Sequence, residues 1–232
     1  MSLVVKNNAL KYENLYKAGH NHSYPNLDFV RLERKFLRNK SNIRILDYGF
    51  GTGENLIHLL KNNYDVYGVE TSKSAINLVK NKSNKFKKFN LKNLKYLKSG
   101  TKNLNFKDNF FDSIACISVI SLLQNKKNIE NLLNEFLRIL KPGGRLIVDI
   151  NGPKGDFKKG GRFINEDEYE YNLQNKRKIR IYAPKSKSAF KKIFKNYKII
   201  EIGEIYFNYF EFKDHEFIAC LEKPLVDSKK NK

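Results

Sequence analysis

Short apolar runs alternate with segments of helical periodicity through the middle of the chain. The pattern predicts strands at 43–47, 65–69, 94–98, 112–118 and 145–150, and helices at 53–62, 72–81 and 126–139. Strands that alternate with helices pair in parallel, and the helices cover both faces of the sheet. The pattern therefore predicts an α/β fold.

The pattern changes after Asp149. Residues 151–170 hold four glycines and many charges, and we expect a loop or insertion there. A short strand at 178–182, a helix at 186–196 and two hairpin-like strands at 197–206 and 216–222 follow. The sheet is therefore expected to end in an antiparallel pair, after a variable insertion at 151–190.

The first forty residues precede the first predicted core strand. Tyr12 and Tyr16 fall on one helical face, and so do Phe29 and Phe36 further along, with a polar, turn-rich stretch between the two groups. Residues 1–40 are therefore predicted to form a helical segment of their own. Residues 227–232 are expected to be a disordered tail.

Three glycines at alternate positions follow the first predicted strand. The strand ends at Asp47, and Gly49, Gly51 and Gly53 lead into a predicted helix. Glycine lets backbone approach a ligand where a Cβ atom would clash, and the N–H groups at a helix start attract electron-rich atoms. The motif predicts a nucleotide-like ligand; an ordinary tight turn is the alternative. The dinucleotide fingerprint Gly-x-Gly-x-x-Gly does not match this spacing.

The second predicted strand ends in an acidic residue. Glu70 directly follows the apolar run, and Thr71 and Ser72 come next. The two oxygens of a carboxylate suit the two neighbouring hydroxyls of a ribose, which acids at this place in similar sheets bind. Glu70 could also cap the helix that follows. Both roles are compatible.

Residues 45–53 resemble motif I of the class I S-adenosylmethionine-dependent methyltransferases, an acid followed by x-Gly-x-Gly-x-Gly. Residues 104–119 are similar to the fourth-strand region of that family, and residues 137–149 to its Lys-Pro-Gly-Gly turn and fifth strand. The resemblance is strong over about residues 43–150. It implies a Rossmann-like three-layer sandwich with a seven-stranded, mostly parallel sheet and an antiparallel final strand.

The resemblance also implies the domain organisation and the cofactor. Residues 41–226 would form the methyltransferase domain, and the segment at 1–40 would lie over the cofactor. S-adenosylmethionine would be the methyl donor, with S-adenosylhomocysteine as its product. The implied cofactor contacts lie in the glycine turn, at the end of the second strand and after the fourth strand: Asp47, Gly49, Gly51, Gly53, Glu70, Thr71, Ile117 and Ser118.

Four further cofactor contacts are predicted on weaker grounds. The family usually carries Gly-Asp after the third strand, with the acid on the adenine, whereas this chain has Thr101 at that place. The Thr101 hydroxyl and the Lys102 N–H group are therefore the adenine candidates. Arg31 could pair with the cofactor carboxylate, or be an ordinary surface arginine. Tyr24 lies in a Tyr-Pro-Asn segment similar to that of some bacterial surface-polysaccharide methyltransferases.

The histidines supply the candidate catalytic groups. His20 and His22 could act as general bases, because a neutral imidazole accepts a proton near pH 7; the alternative is that both are exposed loop residues. His58 is expected to be structural and His215 to lie at the surface. No ligand cluster supports a metal site.

Composition adds little to the assignment of function. The net charge is +21, but the excess is lysine spread along the whole chain and accompanied by many asparagines, as a biased genome would produce. A nucleic-acid partner is therefore possible but not favoured. The two cysteines are expected to be buried, reduced thiols. No leader or membrane-spanning run is evident, so a cytoplasmic location is expected, with the oligomeric state open.

The expected reaction is methyl transfer to oxygen or nitrogen of a small-molecule or sugar-containing acceptor. An Asp-Pro-Pro-Tyr-like motif, which marks methylation of amino groups in nucleic acids, is absent after the fourth strand, where the chain reads Ile117-Ser118-Val119. Two alternatives stay open: an RNA or protein methyltransferase that uses the basic surface, and a degenerate family member without catalytic activity.

Overall fold

The computed structural model describes residues 3–37, 42–84, 86, 90–98, 101, 103–156, 161–165, 167–172, 178–210 and 212–225. The helices are α1 Leu3–Lys17, α2 Leu27–Phe36, α3 Glu54–Lys61, α4 Lys73–Ser83, α5 Lys126–Ile139 and α6 Lys187–Ile193. The strands are β1 Arg44–Tyr48, β2 Asp65–Glu70, β3 Leu94–Tyr96, β4 Phe111–Cys116, β5 Leu140–Asn151, β6 Gly161–Asn165, β7 Glu168–Asn172, β8 Lys178–Tyr182, β9 Lys198–Tyr209 and β10 Phe212–Glu222.

The main sheet has seven strands in the order β3-β2-β1-β4-β5-β10-β9. Strands β1 to β5 pair in parallel, and β10 is antiparallel to both β5 and β9. The predicted α/β sheet with an antiparallel final strand is confirmed. The carboxyl ends of β1, β2 and β4 therefore meet at one edge of the sheet, next to the glycine turn.

Apolar side chains on the two faces of the sheet form two separate cores. Ile45 packs in a cluster with residues of α2, α3 and α4, whereas Leu46, the next residue along β1, packs in a cluster with residues of α5 and α6. Successive strand residues point to opposite faces, so one short apolar strand supplies both cores. Each large side chain that is fully buried stabilises the fold by roughly 1.5–3 kcal/mol. The result is the predicted three-layer arrangement.

The predicted loop at 151–170 contains two strands, which corrects the sequence expectation. β6 and β7 pair with each other and with β8 in a second, antiparallel sheet. Glu170 at its centre is 6% exposed and is paired with Arg162, Lys178 and Arg180 at 3.2–3.4 Å. The run Glu168-Tyr169-Glu170-Tyr171 in β7 alternates as a strand does, but the glycines and charges before it indicated a loop.

Several predicted bounds also differ from the observed ones. The Lys-Pro-Gly-Gly segment lies within β5 and interrupts its pairing with β4. Leu140 pairs with Phe111 before the segment. The next pair is Arg145 with Ser113, after it. Gly143 has φ +73° there, a conformation that favours glycine. β9 and β10 are longer than predicted and α6 is shorter. The tail at 227–232 lies outside the described residues.

Two expectations about composition can be compared with the structure. Cys116 and Cys220 are buried and form no disulfide, as predicted. Within the described part of the chain, the helices lack the length and apolar character that crossing a membrane requires.

Candidate functional site

A cavity of about 470 Å³ opens at the carboxyl ends of β1, β2 and β4. This volume is in the range of sites that bind small molecules, roughly 300–1,000 Å³. The walls come from the glycine turn after β1, the end of β2, the segment after β4 and the inner face of α1. Predicted site residues that line it are Asp47, Gly49, Gly51, Glu70, Thr71, Ile117, Ser118, His22 and Tyr24.

The glycine turn has a backbone that other residues adopt with difficulty. Gly49, Gly51 and Gly53 all have positive φ, between 52° and 88°. A Cβ atom on Gly49 would stand 2.5 Å from Cγ2 of Val119, and one on Gly51 would stand 2.9 Å from the hydroxyl of Tyr16. Both glycines therefore allow neighbouring elements to close around the cavity.

Gly53 has a different role from the one predicted. It is the N-cap of α3 and is not among the residues that line the cavity. A Cβ atom at this position would stand 2.4 Å from Cγ2 of Val79 in α4. The third glycine of the motif therefore allows two helices to pack closely, and does not bring backbone to a ligand.

Glu70 is buried at the end of β2 and joins the turn to the next helix. One of its oxygens accepts a hydrogen bond from the Gly51 N–H group at 2.8 Å, and the other accepts from the N–H groups of Thr71 and Ser72 at 2.5 and 3.0 Å. The carboxylate thus holds the chain just before α4 and also faces the cavity. The N-cap of α4 is Ser72, whose hydroxyl accepts from the Ala75 N–H group, so Glu70 does not itself cap the helix, and its ribose role stays a prediction.

The buried carboxyl group of Asp47 lacks a hydrogen-bond partner for one of its oxygens. It is 2% exposed, and its Oδ2 atom has no hydrogen-bond partner within the described residues. Burial, together with the charges of Glu70 and Glu54, raises the pKa of Asp47 to about 8. A buried oxygen without a partner is unfavourable, so a ligand group that donates hydrogen bonds would stabilise this site.

Helix α1 lines the cavity and is hydrogen-bonded to the start of α4, close to Glu70. The carboxylate of Glu13 accepts hydrogen bonds from the hydroxyls of Ser72 and Ser74 at 2.6 and 2.7 Å. Burial raises the pKa of Glu13, but these hydrogen bonds outweigh burial and the net shift is downward. The same helix places the rings of Tyr12 and Tyr16 on the cavity wall.

The segment after β4 is held by an acid that the sequence analysis did not single out as a site residue. Ser118 has φ +60°, and its N–H group donates to Oδ1 of Asp149 at 2.6 Å. Asp149 is 2% exposed, and burial raises its pKa although the hydrogen bonds from Ser118 act against the rise. An acidic residue within the apolar run of β5 was the available signal. Asp149 maintains the shape of the wall that Ser118 forms.

The two candidate bases lie at the mouth of the cavity. His22 lines the cavity, and its backbone N–H group donates to the Thr52 hydroxyl at 3.3 Å. Nε2 of His20 lies 3.1 Å from Nε2 of His22, but His20 is not a lining residue. Both side chains are exposed, and Tyr24 nearby is 84% exposed. Of these three residues, His22 and Tyr24 line the cavity and His20 does not.

Two predicted cofactor contacts do not reach the cavity. Arg31 is exposed on α2 and forms an ion pair with Asp28, one turn earlier, at 2.8 Å. Thr101 is exposed, and its hydroxyl donates to the carbonyl of Lys98 at 2.6 Å. Each side chain has a local partner, and neither residue lines the cavity, so both contacts stay predictions that this geometry does not support. Lys102 lies outside the described residues.

The remaining histidines lie outside the cavity lining. His58 pairs with the buried Glu33 at 3.2 Å, in the structural role that was expected. His215 is 1% exposed, which corrects its predicted surface position. It lies beneath Gly152, where a Cβ atom would stand 2.1 Å from Nδ1 of His215. The acidic neighbours in sequence suggested exposure, but the pairing of β10 with β9 and β5 buries the ring.

Comparison with known proteins agrees with this geometry. Residues 46–148 match the model of a family described as a methyltransferase domain. Over this stretch, a little under half of the chain, the sequence is similar to a methyltransferase domain. The matched residues run from β1 to β5 and contain the glycine turn, Glu70 and the segment after β4.

Curated proteins that are similar to this chain include enzymes named for quinone biosynthesis. Demethylmenaquinone methyltransferase of Tropheryma whipplei is 32% identical over 104 residues, which are 45% of this chain and 40% of the relative. A ubiquinone/menaquinone biosynthesis C-methyltransferase of Vibrio cholerae is 32% identical over 108 residues, 45% of this chain and 40% of that protein. The chain therefore matches about two fifths of the length of these curated relatives.

A solved structure extends the similarity in fold beyond the matched region. A SAM-dependent methyltransferase from Methanosarcina mazei superposes with a TM-score of 0.67 at 16% identity, covering 88% of this chain and all of that chain. At this identity the comparison concerns the fold alone. The superposed share of the chain is larger than the 46–148 stretch that the family model matches.

The residues of the cavity fit S-adenosylmethionine, the cofactor that the similar methyltransferases imply. The unpartnered oxygen of Asp47 is suited to a group that donates hydrogen bonds, such as the ammonium group of the methionine part. Glu70 retains lone pairs for hydroxyl groups beside the hydrogen bonds that it already accepts. Gly49 and Gly51 leave backbone bare at the cavity wall. Asp47 and Glu70 thus provide acceptors for hydrogen-bond donors that the cofactor carries.

Proposed function

We propose that this protein transfers a methyl group from S-adenosylmethionine to a small organic acceptor that binds in the same cavity. The observation that carries the proposal is the meeting of three features in one wall: the glycine turn, the carboxylate of Glu70 and the unpartnered carboxyl oxygen of Asp47. An ordinary tight turn would need neither of the two buried acids.

The residues of the chain would act mainly by binding and alignment. Glu70 and Thr71 would hold the ribose, Asp47 the ammonium group of the methionine part, and the backbone of Gly49 and Gly51 would lie against the ligand. When bound, S-adenosylmethionine supplies a methyl group already activated on a sulfonium. Proximity and orientation of the reactants can lower a barrier by up to about 7–11 kcal/mol.

The wall of the cavity favours an apolar acceptor. Val119, Leu122 and Leu123, from the segment after β4, line the cavity together with Ala9 of α1. A sugar would need several polar partners, which these four side chains do not provide. The names of the relatives, which refer to demethylmenaquinone and to C-methylation, support an acceptor with an apolar ring. We therefore include carbon, besides oxygen and nitrogen, among the atoms that could receive the methyl group.

A proton acceptor would assist a hydroxyl or amine acceptor. His22 is the histidine that lines the cavity, and we propose it for this role. General base catalysis typically contributes about 10²–10⁴-fold to a rate. Substitution His22→Gln is then expected to lower kcat by at least tenfold while the affinity for S-adenosylhomocysteine changes little.

The proposed function is tested by methyl transfer from isotopically labelled S-adenosylmethionine. The acceptors to try are reduced naphthoquinones, simple phenols and monosaccharides, with mass spectrometry of the products. We expect labelled product with at least one of the first two classes, and loss of product on Glu70→Gln. Failure to bind S-adenosylhomocysteine in calorimetry would contradict the proposal at its first step.

A further inference from the structure

Asn8 of α1 combines a fixed orientation with an unused hydrogen-bond acceptor. Its side chain is 6% exposed and lines the cavity. Its Nδ2 atom donates to the carbonyl oxygens of Leu122 and Arg180 at 2.8 and 3.1 Å. Because two carbonyls can only accept, the amide nitrogen must face them and the amide oxygen must face away.

The amide oxygen has no partner of its own. Oδ1 of Asn8 is buried and makes no hydrogen bond with any residue in the described part of the chain. Most buried polar atoms in proteins are paired, and one that is not requires an explanation. An oxygen held at a cavity wall by two hydrogen bonds on the other side of its amide is suited to a donor on a bound molecule.

The position of Asn8 along α1 separates it from the predicted ribose site. Tyr16, next to Gly51, and Glu13, bonded to Ser72 at the start of α4, lie over the end of β2. Asn8 is bonded to Leu122, in the segment that follows β4. Eight residues of helix separate Asn8 from Tyr16, a rise of about 12 Å. Asn8 therefore lies at the other end of the cavity from Glu70.

The surroundings of Asn8 are mainly apolar. Ala9, Val119, Leu122 and Leu123 line the cavity with it. One fixed hydrogen-bond acceptor in such a wall selects a molecule that is mostly apolar and carries a hydroxyl group at a defined place. The amide of asparagine does not titrate, so it can orient a hydroxyl group but cannot remove its proton.

We infer that Asn8 orients the methyl acceptor, by accepting a hydrogen bond from a hydroxyl group on an apolar, quinol-like or phenolic ring. The inference rests on the proposed function, since it assigns the acceptor to the end of the cavity that the cofactor leaves open. It names the substrate class and the residue that selects it. Leu122 and Arg180 act through Asn8, because their carbonyls fix its amide.

The experiment measures binding of two matched probes to protein saturated with S-adenosylhomocysteine. The probes are 1,4-dihydroxynaphthalene, kept reduced, and 1,4-dimethoxynaphthalene, which has the same ring but no donor. We expect the wild type to bind the dihydroxy probe about tenfold more tightly, as loss of about one hydrogen bond to a fixed partner implies. Asn8→Ala should abolish the preference, whereas Leu123→Ala should weaken both probes by a similar factor.

Two controls distinguish failure of the proposed function from failure of the inference about Asn8. Calorimetry with S-adenosylhomocysteine alone tests the cofactor site, and its failure in the wild type overturns the proposed function. Normal cofactor binding combined with equal binding of both probes, or with binding of neither, overturns only the inference about Asn8. Asn8→Leu, which has a similar shape but no hydrogen-bond acceptor, replaces Asn8→Ala if that variant does not fold. A preference that survives substitution of Asn8 also overturns the inference.

Discussion

The ring of Phe50 fills the space that a side chain on Gly68 would occupy. A Cβ atom built on Gly68 would stand 2.6 Å from Cδ1 of Phe50, and Leu56 would be almost as close at 2.9 Å. Phe50 is 6% exposed and belongs to the core on the α3 side of the sheet. The bulky residue inside the glycine turn is thus accommodated by a glycine in the neighbouring strand.

This packing predicts that Gly68→Ala destabilises the protein. The added methyl group has to displace Phe50 or Leu56, and overpacking of this kind typically lowers the free energy of unfolding by about 1–3 kcal/mol. In a Phe50→Leu background the loss should be smaller, because the two sites share one space. Urea denaturation of the four proteins measures the coupling. Gly203→Ala, where the nearest atom is 3.6 Å away, is the control; equal losses at both glycines would contradict the account.

Gly51→Ala is expected to weaken cofactor binding strongly. Its φ of +52° and the Tyr16 hydroxyl 2.9 Å from the new methyl group mean that the turn must change shape at the cavity wall. Calorimetry should show at least a tenfold loss of affinity for S-adenosylhomocysteine. Gly19→Ala provides a matched control, since Gly19 also has positive φ but has open space around it. If both variants bind the ligand as the wild type does, the turn does not hold it.

The raised pKa of Asp47 predicts how stability depends on pH. The folded protein holds the proton up to about pH 8, whereas the unfolded chain releases it near 3.8. Between these values the folded state binds more protons, so the free energy of unfolding contributed by this group falls as pH rises. Asp47→Asn should make stability less dependent on pH in that window, as measured by denaturation at pH 5 and pH 8. A steeper dependence in the variant would be inconsistent with a protonated carboxyl group.

Cofactor binding should also release a proton from Asp47. An ammonium group beside the carboxyl favours its charged form and lowers its pKa. At pH 7 we expect the calorimetric heat of S-adenosylhomocysteine binding to vary with the ionisation enthalpy of the buffer. The variation should vanish in Asp47→Asn, and a variation that persists there would assign the proton to another group.

The hydrogen bonds of Glu13 predict that α1 opens when they are removed. Glu13→Ala takes away the acceptor for the hydroxyls of Ser72 and Ser74. Amide hydrogen exchange within α1 should become faster, and affinity for S-adenosylhomocysteine should fall, because Tyr12 and Tyr16 line the cavity from the same helix. Asn14→Ala, at an exposed position of α1, should change neither quantity. Unchanged exchange in Glu13→Ala would mean that packing alone holds the helix.

The parts of the fold that apolar patterns encode were predictable from the sequence. Helix α5 has the predicted bounds 126–139, and β1 and β2 differ from prediction by one residue at their ends. In the second sheet, β8 was predicted, whereas β6 and β7 were not, because the glycines and charges at 151–170 indicated a loop and the ion pairs of Glu170 form only between strands. Cross-strand ion pairs depend on which strands meet, and that is decided outside the segment.

The residues of the candidate site also differ in whether a local sequence pattern predicts them. Glu70 and the glycine turn were predictable because a local motif encodes them, and they do meet at the cavity. Arg31 was assigned by residue type and Thr101 by its place after the third strand, and each has a partner near it in the sequence and lies outside the cavity lining. Asn8 could not be recognised, since its partner Leu122 lies 114 residues away in the chain. Asp149 left a signal, as an acid within an apolar run, but that signal did not indicate its partner Ser118.

The central claim is that the cavity beside the glycine turn binds S-adenosylmethionine with its ribose on Glu70. A crystal structure with S-adenosylhomocysteine tests this most directly. The account predicts ribose hydroxyls within hydrogen-bond distance of the Glu70 carboxylate and the amino group next to Asp47. A ligand bound elsewhere, or one whose ribose lies away from Glu70, would contradict it.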